Sequence, residues 1–386
     1  MTSLRIAMLG TRGVPAAYGG FETAVEEIGA RLADRGHRVT VYCRSASASR
    51  HSEWRGMSLV HAPALRLKAA ETLSHTAASV AHLTARHGTD VAFVFNAANS
   101  PFLPWLRLLG IPTALHVDGL EWMRGKWSGA GQAYYKRAEA FAVRHADALI
   151  ADARGIADYY SDTYGAPTEL LAYGAPIVDA PAHNRLAALG LEPRRFHLVV
   201  ARFEPENHVD IIVDGYRRSA AQHPLVVVGS APYAERYSQQ IVEAAASDPR
   251  IRFLGGVWDQ VLLDQLYSNA TSYAHGHSVG GTNPSLLRAM GGAAPVLAWD
   301  VTFNREVAGG DADFFGSAEQ LAPLIERAER EPERAARRGA SLRERARNLY
   351  DWDDVADGYE NLGLRLFAGE SIHERRRIPA RTITTA

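Results

Sequence analysis

A chain of 386 residues with a formal charge of −1 is too long for one ordinary core and lacks the basic field that would hold nucleic acid. Hydrophobic and charged contents of 47% and 22% are those of a soluble globular protein, which leaves out fibrous and disordered classes. The single Cys43 excludes a disulfide framework and any multi-cysteine zinc site, and it fits a reducing compartment.

The opening Leu4-Arg-Ile-Ala-Met-Leu-Gly10 reads as a strand and not as a signal peptide. No uninterrupted apolar run reaches the ~20 residues of a membrane span, so a cytoplasmic protein is expected. Strands are predicted at Ile6–Leu9, Arg38–Tyr42, Val91–Phe95, Thr113–Val117 and Ala148–Ala151. A helix at Glu22–Ala33 places Val25, Ile28 and Leu32 on one face. A second series follows at His197–Ala201, Leu225–Val228, Ile251–Leu254, Ser272–Ala274 and Pro295–Ala298, with helices at Tyr233–Ala246 and Gln260–Tyr267. This alternation predicts an α/β chain of two doubly wound, Rossmann-like domains, joined in the Gly- and Pro-bearing stretch between Tyr173 and Pro193. Beyond Glu370 the chain turns basic and Thr-rich, and a disordered or surface-bound tail is expected.

Ligands of such sheets bind outside the carboxyl ends of the strands, so the loops there carry the chemistry. After the fourth strand of the second series runs His275-Gly-His277-Ser-Val-Gly280-Gly281-Thr282-Asn283-Pro284-Ser285. Asn is a favoured helix cap and Pro a favoured first helical residue, so this loop delivers the positive end of a helix as an anion seat. Arg202, just past the first strand of the series, would clamp a phosphate as a second wall, and Gly229 follows the next strand at the same edge.

In the first half, Gly10-Thr-Arg-Gly13 to Tyr18-Gly19-Gly20-Phe21 misses the spacing of a dinucleotide fingerprint, and the second strand ends in Cys43-Arg44 without the acidic residue. His116 and Asp118 alternate along their strand and face one way; Glu121, Trp122, Arg124 and Trp127 follow in one loop, as in a polar substrate site with aromatic platforms. The pairs Asp311/Asp313 and Asp351-Trp-Asp353-Asp354 are read as a turn and as the acidic start of a helix, not as metal ligands.

Three segments, Thr11–Thr23, Val117–Trp122 and His275–Leu287, carry a resemblance that spans Arg5 to about Phe367. The chain resembles the retaining GT-B-fold glycosyltransferases of family four, and within them a rhamnosyltransferase-like branch. The resemblance implies an acceptor-binding domain over 1–180 and a nucleotide-sugar-binding domain over 181–350, facing across a cleft. A helix at 351–369 would cross back to the first domain, leaving 370–386 as the tail. It implies donor contacts from Gly19, Gly20, Arg202, Asn207, Gly229, Trp258, His277, Gly280, Gly281, Thr282, Asn283, Ser285 and Arg288. His116 would touch the donor sugar, and His116, Asp118 and Arg202 are the expected catalytic groups. Tyr18, Phe21, Glu121, Trp122 and Arg124 are expected on the acceptor.

Many relatives place two glutamates where this chain has Gly280 and Arg288; the second holds the ribose. A guanidinium only donates hydrogen bonds and cannot replace a carboxylate there. A dTDP-sugar, with one ribose hydroxyl fewer, would need that carboxylate least. The expected activity is therefore transfer of a sugar, L-rhamnose first, to a saccharide or lipid-linked saccharide, with no cofactor, no metal and at most peripheral membrane contact. A UDP- or GDP-sugar donor, a catalytically weakened nucleotide-sugar-binding protein and a nicotinamide-dependent oxidoreductase are the alternatives.

Overall fold

The computed structural model describes residues 2–16, 19–45, 51–65, 70–117, 119–125, 127, 129–229 and 235–373. The chain divides into two compact units. One comprises Met1–Trp122, Trp127–Tyr173 and Trp352–Ala386, the other Met123–Lys126 and Gly174–Asp351.

The N-terminal unit contains β1 (Arg5–Leu9), α1 (Gly20–Asp34), β2 (Arg38–Arg44), β3 (Glu53–Trp54), β4 (Met57–Ala62), α2 (Glu71–Arg86), β5 (Val91–Phe95) and α3 (Leu103–Leu108). After these come β6 (Thr113–His116), α4 (Gly129–His145), β7 (Ala148–Ala151), α5 (Arg154–Tyr164) and β8 (Glu169–Leu170). Its sheet order is β3-β4-β2-β1-β5-β6-β7-β8, and every pairing is parallel except β3 with β4. Strands covered on both faces read as continuous apolar runs, and the central ones do: all of Val91–Phe95 and all of Ala148–Ala151 are buried. The hairpin of β3 and β4 was not predicted. Its turn is Arg55-Gly56, both with positive φ, and Ser58 and His61 interrupt the apolar run of β4.

The C-terminal unit contains β9 (His197–Val200), α6 (Val209–Arg218), β10 (Leu225–Val228), α7 (Glu235–Ala245), β11 (Ile251–Gly255), α8 (Gln260–Ser268), β12 (Ser272–His275), α9 (Pro284–Gly291), β13 (Val296–Trp299), α10 (Thr302–Ala308), β14 (Asp313–Phe315), α11 (Ala318–Arg330) and α12 (Pro332–Leu349). The sheet order is β11-β10-β9-β12-β13-β14, all parallel. The order reverses between β9 and β12, which is where the loops at the strand ends splay apart to admit a ligand. Val199, Ile212, Val213, Tyr216, Val227 and Leu321 form the heart of its core.

The last helix, α13 (Trp352–Phe367), belongs to the N-terminal unit and packs on α1. Tyr359 meets the Phe93 ring edge-on at 5.1 Å, and Val355, Ala356, Leu362 and Leu366 are buried. Arg31 pairs with Asp353 at 2.8 Å, and Arg35 pairs with Asp357 at 2.6 Å and Glu360 at 2.9 Å. Asp353 and Asp354 occupy the first turn of this helix, where carboxylates favour the dipole. Asp313 starts β14 and faces Arg327, Arg338 and Arg334 at 3.0, 3.3 and 3.6 Å, so its charge is met by guanidinium groups. Of the tail, residues 370–373 are described: Ser371 Oγ donates to the Asp147 carboxylate and Ile372 N to the Asp147 carbonyl oxygen. This part of the tail is therefore tied to the surface of the N-terminal unit.

At the amino end of the C-terminal sheet, His197, His223 and Glu329 gather with metal-like spacing. The carboxylate already accepts from the amides of Gln222 and His223, and His197 Nε2 lies 3.0 Å away. Burial alone would raise its pKa, but the hydrogen bonds from His197 and the two amides outweigh burial and bring it down to about 2. The group is a satisfied hydrogen-bond network that ties α11 to the sheet.

Candidate functional site

The loop between β12 and α9 is built as its sequence implies. Asn283 caps the helix: its Oδ1 accepts from Ser285 N at 3.0 Å and Ser285 Oγ at 2.8 Å. The Tyr273 hydroxyl, rising from within β12, donates to Ser285 Oγ at 2.9 Å, so the cap is locked to the sheet beneath it. Pro284 stands at the first helical position and lacks an N–H, which leaves the positive helix end to the dipole and the loop amides. Gly280 has φ of +135° with open space where a Cβ would stand, and Thr282 is buried.

A second loop, after β9, is knitted to the first. Residues Pro205–Asn207 form a 3-10 turn, and the Glu206 carbonyl accepts from Ser278 N at 2.9 Å and Ser278 Oγ at 3.0 Å. His208 Nδ1 donates to the Gly276 carbonyl at 2.7 Å while its ring stacks on Trp299 at 3.8 Å. Gly276 is obligatory here, because a Cβ would lie 2.1 Å from the Asn207 carbonyl oxygen. Gly229 plays the same part beside β9: its φ is +145° and a Cβ would come within 1.8 Å of the Ala201 carbonyl oxygen.

Arg202 leaves the end of β9 with its side chain 37% exposed and a loose pairing to Glu204 at 3.4 Å. His277 stacks on His275 at 4.4 Å. Burial first, then His275 and the Arg202 guanidinium, hold its pKa well below the usual imidazole value. Burial takes His275 down to about 3. Both imidazoles are therefore neutral at physiological pH, and the guanidinium groups of Arg202 and Arg124 are cations acting on this loop.

Two expected donor contacts, Asn207 and Arg288, are engaged within the protein. Asn207 is buried, and its Nδ2 donates to the Arg202 carbonyl at 2.8 Å, so it pins the turn from within. Arg288 faces α8: Nε bonds Asp264 at 2.8 Å, and the guanidinium bonds Gln260 Oε1 at 2.6 Å and the Gln260 carbonyl at 2.9 Å. It braces two helices. Trp258, after β11, is 58% exposed.

In the N-terminal unit, Gly10 and Gly13 have φ of +101°, and Cβ atoms there would strike Phe95 O and Cys43. Gly19 caps α1 with φ of +109° and Gly20 begins that helix. Glu22 is half-buried beside the loop and accepts from Arg12 N at 2.9 Å; burial raises its pKa. His116 ends β6 inside an aromatic box: Phe95 and Tyr173 stack on it at 5.7 and 5.8 Å, and Phe21 meets it edge-on at 5.1 Å. It is 1% exposed, and burial drives its pKa down to about 3. A neutral ring of this kind is a hydrogen-bond partner, not a cation. Tyr18 and Asp118 lie outside the described residues.

Glu121 is buried and accepts from Trp127 Nε1 at 3.2 Å. The Lys136 ammonium sits 4.2 Å over the Trp122 ring, whose other neighbour is Tyr159. Arg124 falls in the short segment that groups with the C-terminal unit. Behind Trp122, Tyr159 and Tyr164 donate to Glu139 at 3.0 and 3.4 Å. Burial raises the Glu139 pKa to about 7. The folded carboxyl thus binds a proton that the unfolded one, near 4.3, has released. Stability from this group is greatest below about pH 4 and falls as pH rises through 7. Glu139→Gln is expected to melt higher than wild type at pH 8 and to lose that advantage by pH 4, in melting curves taken across the range.

Glu206, Ser278, His208, Trp299 and Asn304, whose Nδ2 donates to the His277 carbonyl at 2.9 Å, support the anion loop and were not singled out from the sequence. That Glu206 stands four residues after Arg202 was visible in the sequence, whereas the contacts of His208 and Asn304 depend on strand order.

Residues 4–176 match a family described as a domain of unknown function (DUF1972), and residues 186–345 match Glycosyl transferases group 1. No curated protein matches the sequence. Among solved structures, sucrose-phosphate synthase from Thermosynechococcus elongatus superposes with a TM-score of 0.80 at 21% identity, covering 95% of this chain and 99% of that one. The HepE protein of Anabaena, in complex with UDP and glucose, gives 0.75 at 16%, covering 93% and 99%. The UDP-forming α,α-trehalose-phosphate synthase of Burkholderia vietnamiensis gives 0.69 at 13%, covering 93% and 99%. The chain has the two-domain fold of the GT-B glycosyltransferases, and its residues 186–345 match the group 1 glycosyl transferases.

Proposed function

We propose that the protein is a retaining glycosyltransferase that moves a sugar from a nucleotide diphosphate to a hydroxyl of a saccharide or glycoconjugate. The observation that carries this reading is the anion seat itself, Asn283-capped α9 behind an open glycine loop, beside Arg202, within a group 1 glycosyl transferase domain. Breaking the anomeric bond leaves negative charge on the diphosphate and oxocarbenium character on the sugar. Arg202 and the end of α9 are fixed where that charge grows, and such preorganised groups stabilise a leaving group without reorganising. This supply of positive charge makes the reaction metal-independent in our reading. Same-face attack then gives retention, with the departing phosphate taking the acceptor proton.

The donor we favour is a dTDP-sugar, L-rhamnose first, because the guanidinium of Arg288 is committed to Asp264 and Gln260 and no carboxylate stands at that position for a ribose diol. A UDP-sugar is the second reading, favoured by the HepE structures with UDP and UDP-glucose. We place the reaction in the cytoplasm, with an acceptor that is free or lipid-linked. Among the described residues no helix is long and apolar enough to cross a membrane.

A thermal-shift panel of dTDP-, UDP- and GDP-sugars tests this reading. A ligand at 100 times its Kd stabilises the native state by about 2.7 kcal/mol, so the correct nucleotide raises the melting temperature measurably. The largest shift is expected with dTDP-rhamnose. No shift with any nucleotide diphosphate overturns the proposal.

A further inference from the structure

Glu206 is an anomaly beside the anion seat. The residue is 8% exposed, and both carboxylate oxygens are buried with no hydrogen-bond partner among the described residues. Removing a carboxylate from water without pairing it is costly, and native proteins meet that cost with a partner or a function. Its backbone is not loose: the carbonyl takes two hydrogen bonds from Ser278, two residues before Gly280. The side chain therefore issues from a turn fixed to the anion loop, four residues after Arg202, and its carboxylate lies against Gly125, where a Cβ would stand 3.4 Å from Glu206 Oε2.

A carboxylate only accepts hydrogen bonds, so whatever completes it must donate. A metal cation is disfavoured, because Arg202 and the positive end of α9 occupy the same strand ends. The ligand that fits such a mixed site carries negative charge for Arg202 and neutral donors for Glu206. Resting on the proposed function, we infer that Glu206 accepts hydrogen bonds from a hydroxyl pair of the nucleotide-sugar donor, on either the ribose or the transferred sugar, and so determines donor specificity.

Calorimetric titration of wild type and Glu206→Gln with UDP, dTDP, UDP-glucose and dTDP-rhamnose separates the outcomes. Loss of a charge-assisted hydrogen bond weakens a ligand by about 10–100-fold. If the ribose is held, UDP weakens and dTDP does not, and the donor is then a UDP-sugar in place of a dTDP-sugar. If the sugar is held, the sugar conjugates weaken while both free nucleotides bind as before. Either result supports the inference. Equal binding of all four by both proteins overturns it and leaves the donor-site reading standing; a wild type that binds none overturns both.

A second readout excludes a purely structural role. With no ligand present, Glu206→Gln relieves a desolvated charge and is expected to melt ~2–4 °C above wild type. A lower melting temperature, reproduced in Glu206→Ala, shows a structural carboxylate and overturns the inference.

Discussion

Arg202→Ala is expected to lower kcat by roughly 10²–10³-fold, about 3–4 kcal/mol of transition-state stabilisation, while leaving the melting temperature close to wild type. The two halves of this expectation have separate causes. The side chain is 37% exposed and its pairing to Glu204 at 3.4 Å is loose, so removing it takes little from the folded state. In the proposed reaction it faces the oxygens on which negative charge accumulates, and both neighbouring imidazoles are held neutral by burial, so His275 and His277 cannot take over. Arg202→Lys should recover only part of the loss, since an ammonium is a point charge without the planar fork that meets two phosphate oxygens together. Arg195→Ala, an exposed arginine paired with Glu192 on the other side of β9, serves as the control and should keep full turnover. Single-turnover measurements with saturating donor separate chemistry from binding. A kcat within threefold of wild type in Arg202→Ala would refute its role in charge stabilisation.

The parts of this molecule legible in the sequence were those whose cause is local. Val91–Phe95 and Leu225–Val228 are short apolar runs, and the structure makes each a buried parallel strand. Asn283-Pro284 specified a helix start through its own chemistry, and the cap forms through Asn283 Oδ1. What escaped depends on strand order. The hairpin at Glu53–Ala62 finds its apolar face only by pairing with β2, so its broken pattern made no strand by itself. Asn207 looked like a ligand contact because of where it stands in the chain, yet its amide turns inward to Arg202 O. Arg288 stood among the expected donor contacts, yet its partners Asp264 and Gln260 lie on the preceding helix, 24 and 28 residues back. Glu206 is the reverse case: as one acidic residue in a polar loop it drew no notice, and only its burial marks it.

Gly276→Ala is expected to destabilise the C-terminal unit by about 2 kcal/mol or more and to abolish nucleotide binding even where the protein remains folded. The new methyl would stand 2.1 Å from the Asn207 carbonyl oxygen and 3.0 Å from Ile212 Cδ1, far inside van der Waals contact. The first obstacle is main chain and cannot rotate away. Relief requires the Gly276 loop and the Pro205–Asn207 turn to part, which strains the hydrogen bond from His208 to Gly276 O and the pair from Ser278 to Glu206 O. Those bonds hold the anion loop in register with Arg202, so a shift of even half an ångström degrades both walls of the seat together. Gly310→Ala provides the contrast, because a Cβ there meets nothing within 4 Å, and it should stay within about 0.5 kcal/mol of wild type. Melting temperature and nucleotide titration on the two variants give the answer. A Gly276→Ala protein with wild-type melting and wild-type affinity would mean that the two loops are not packed main chain against main chain, and the anion seat would lose its foundation.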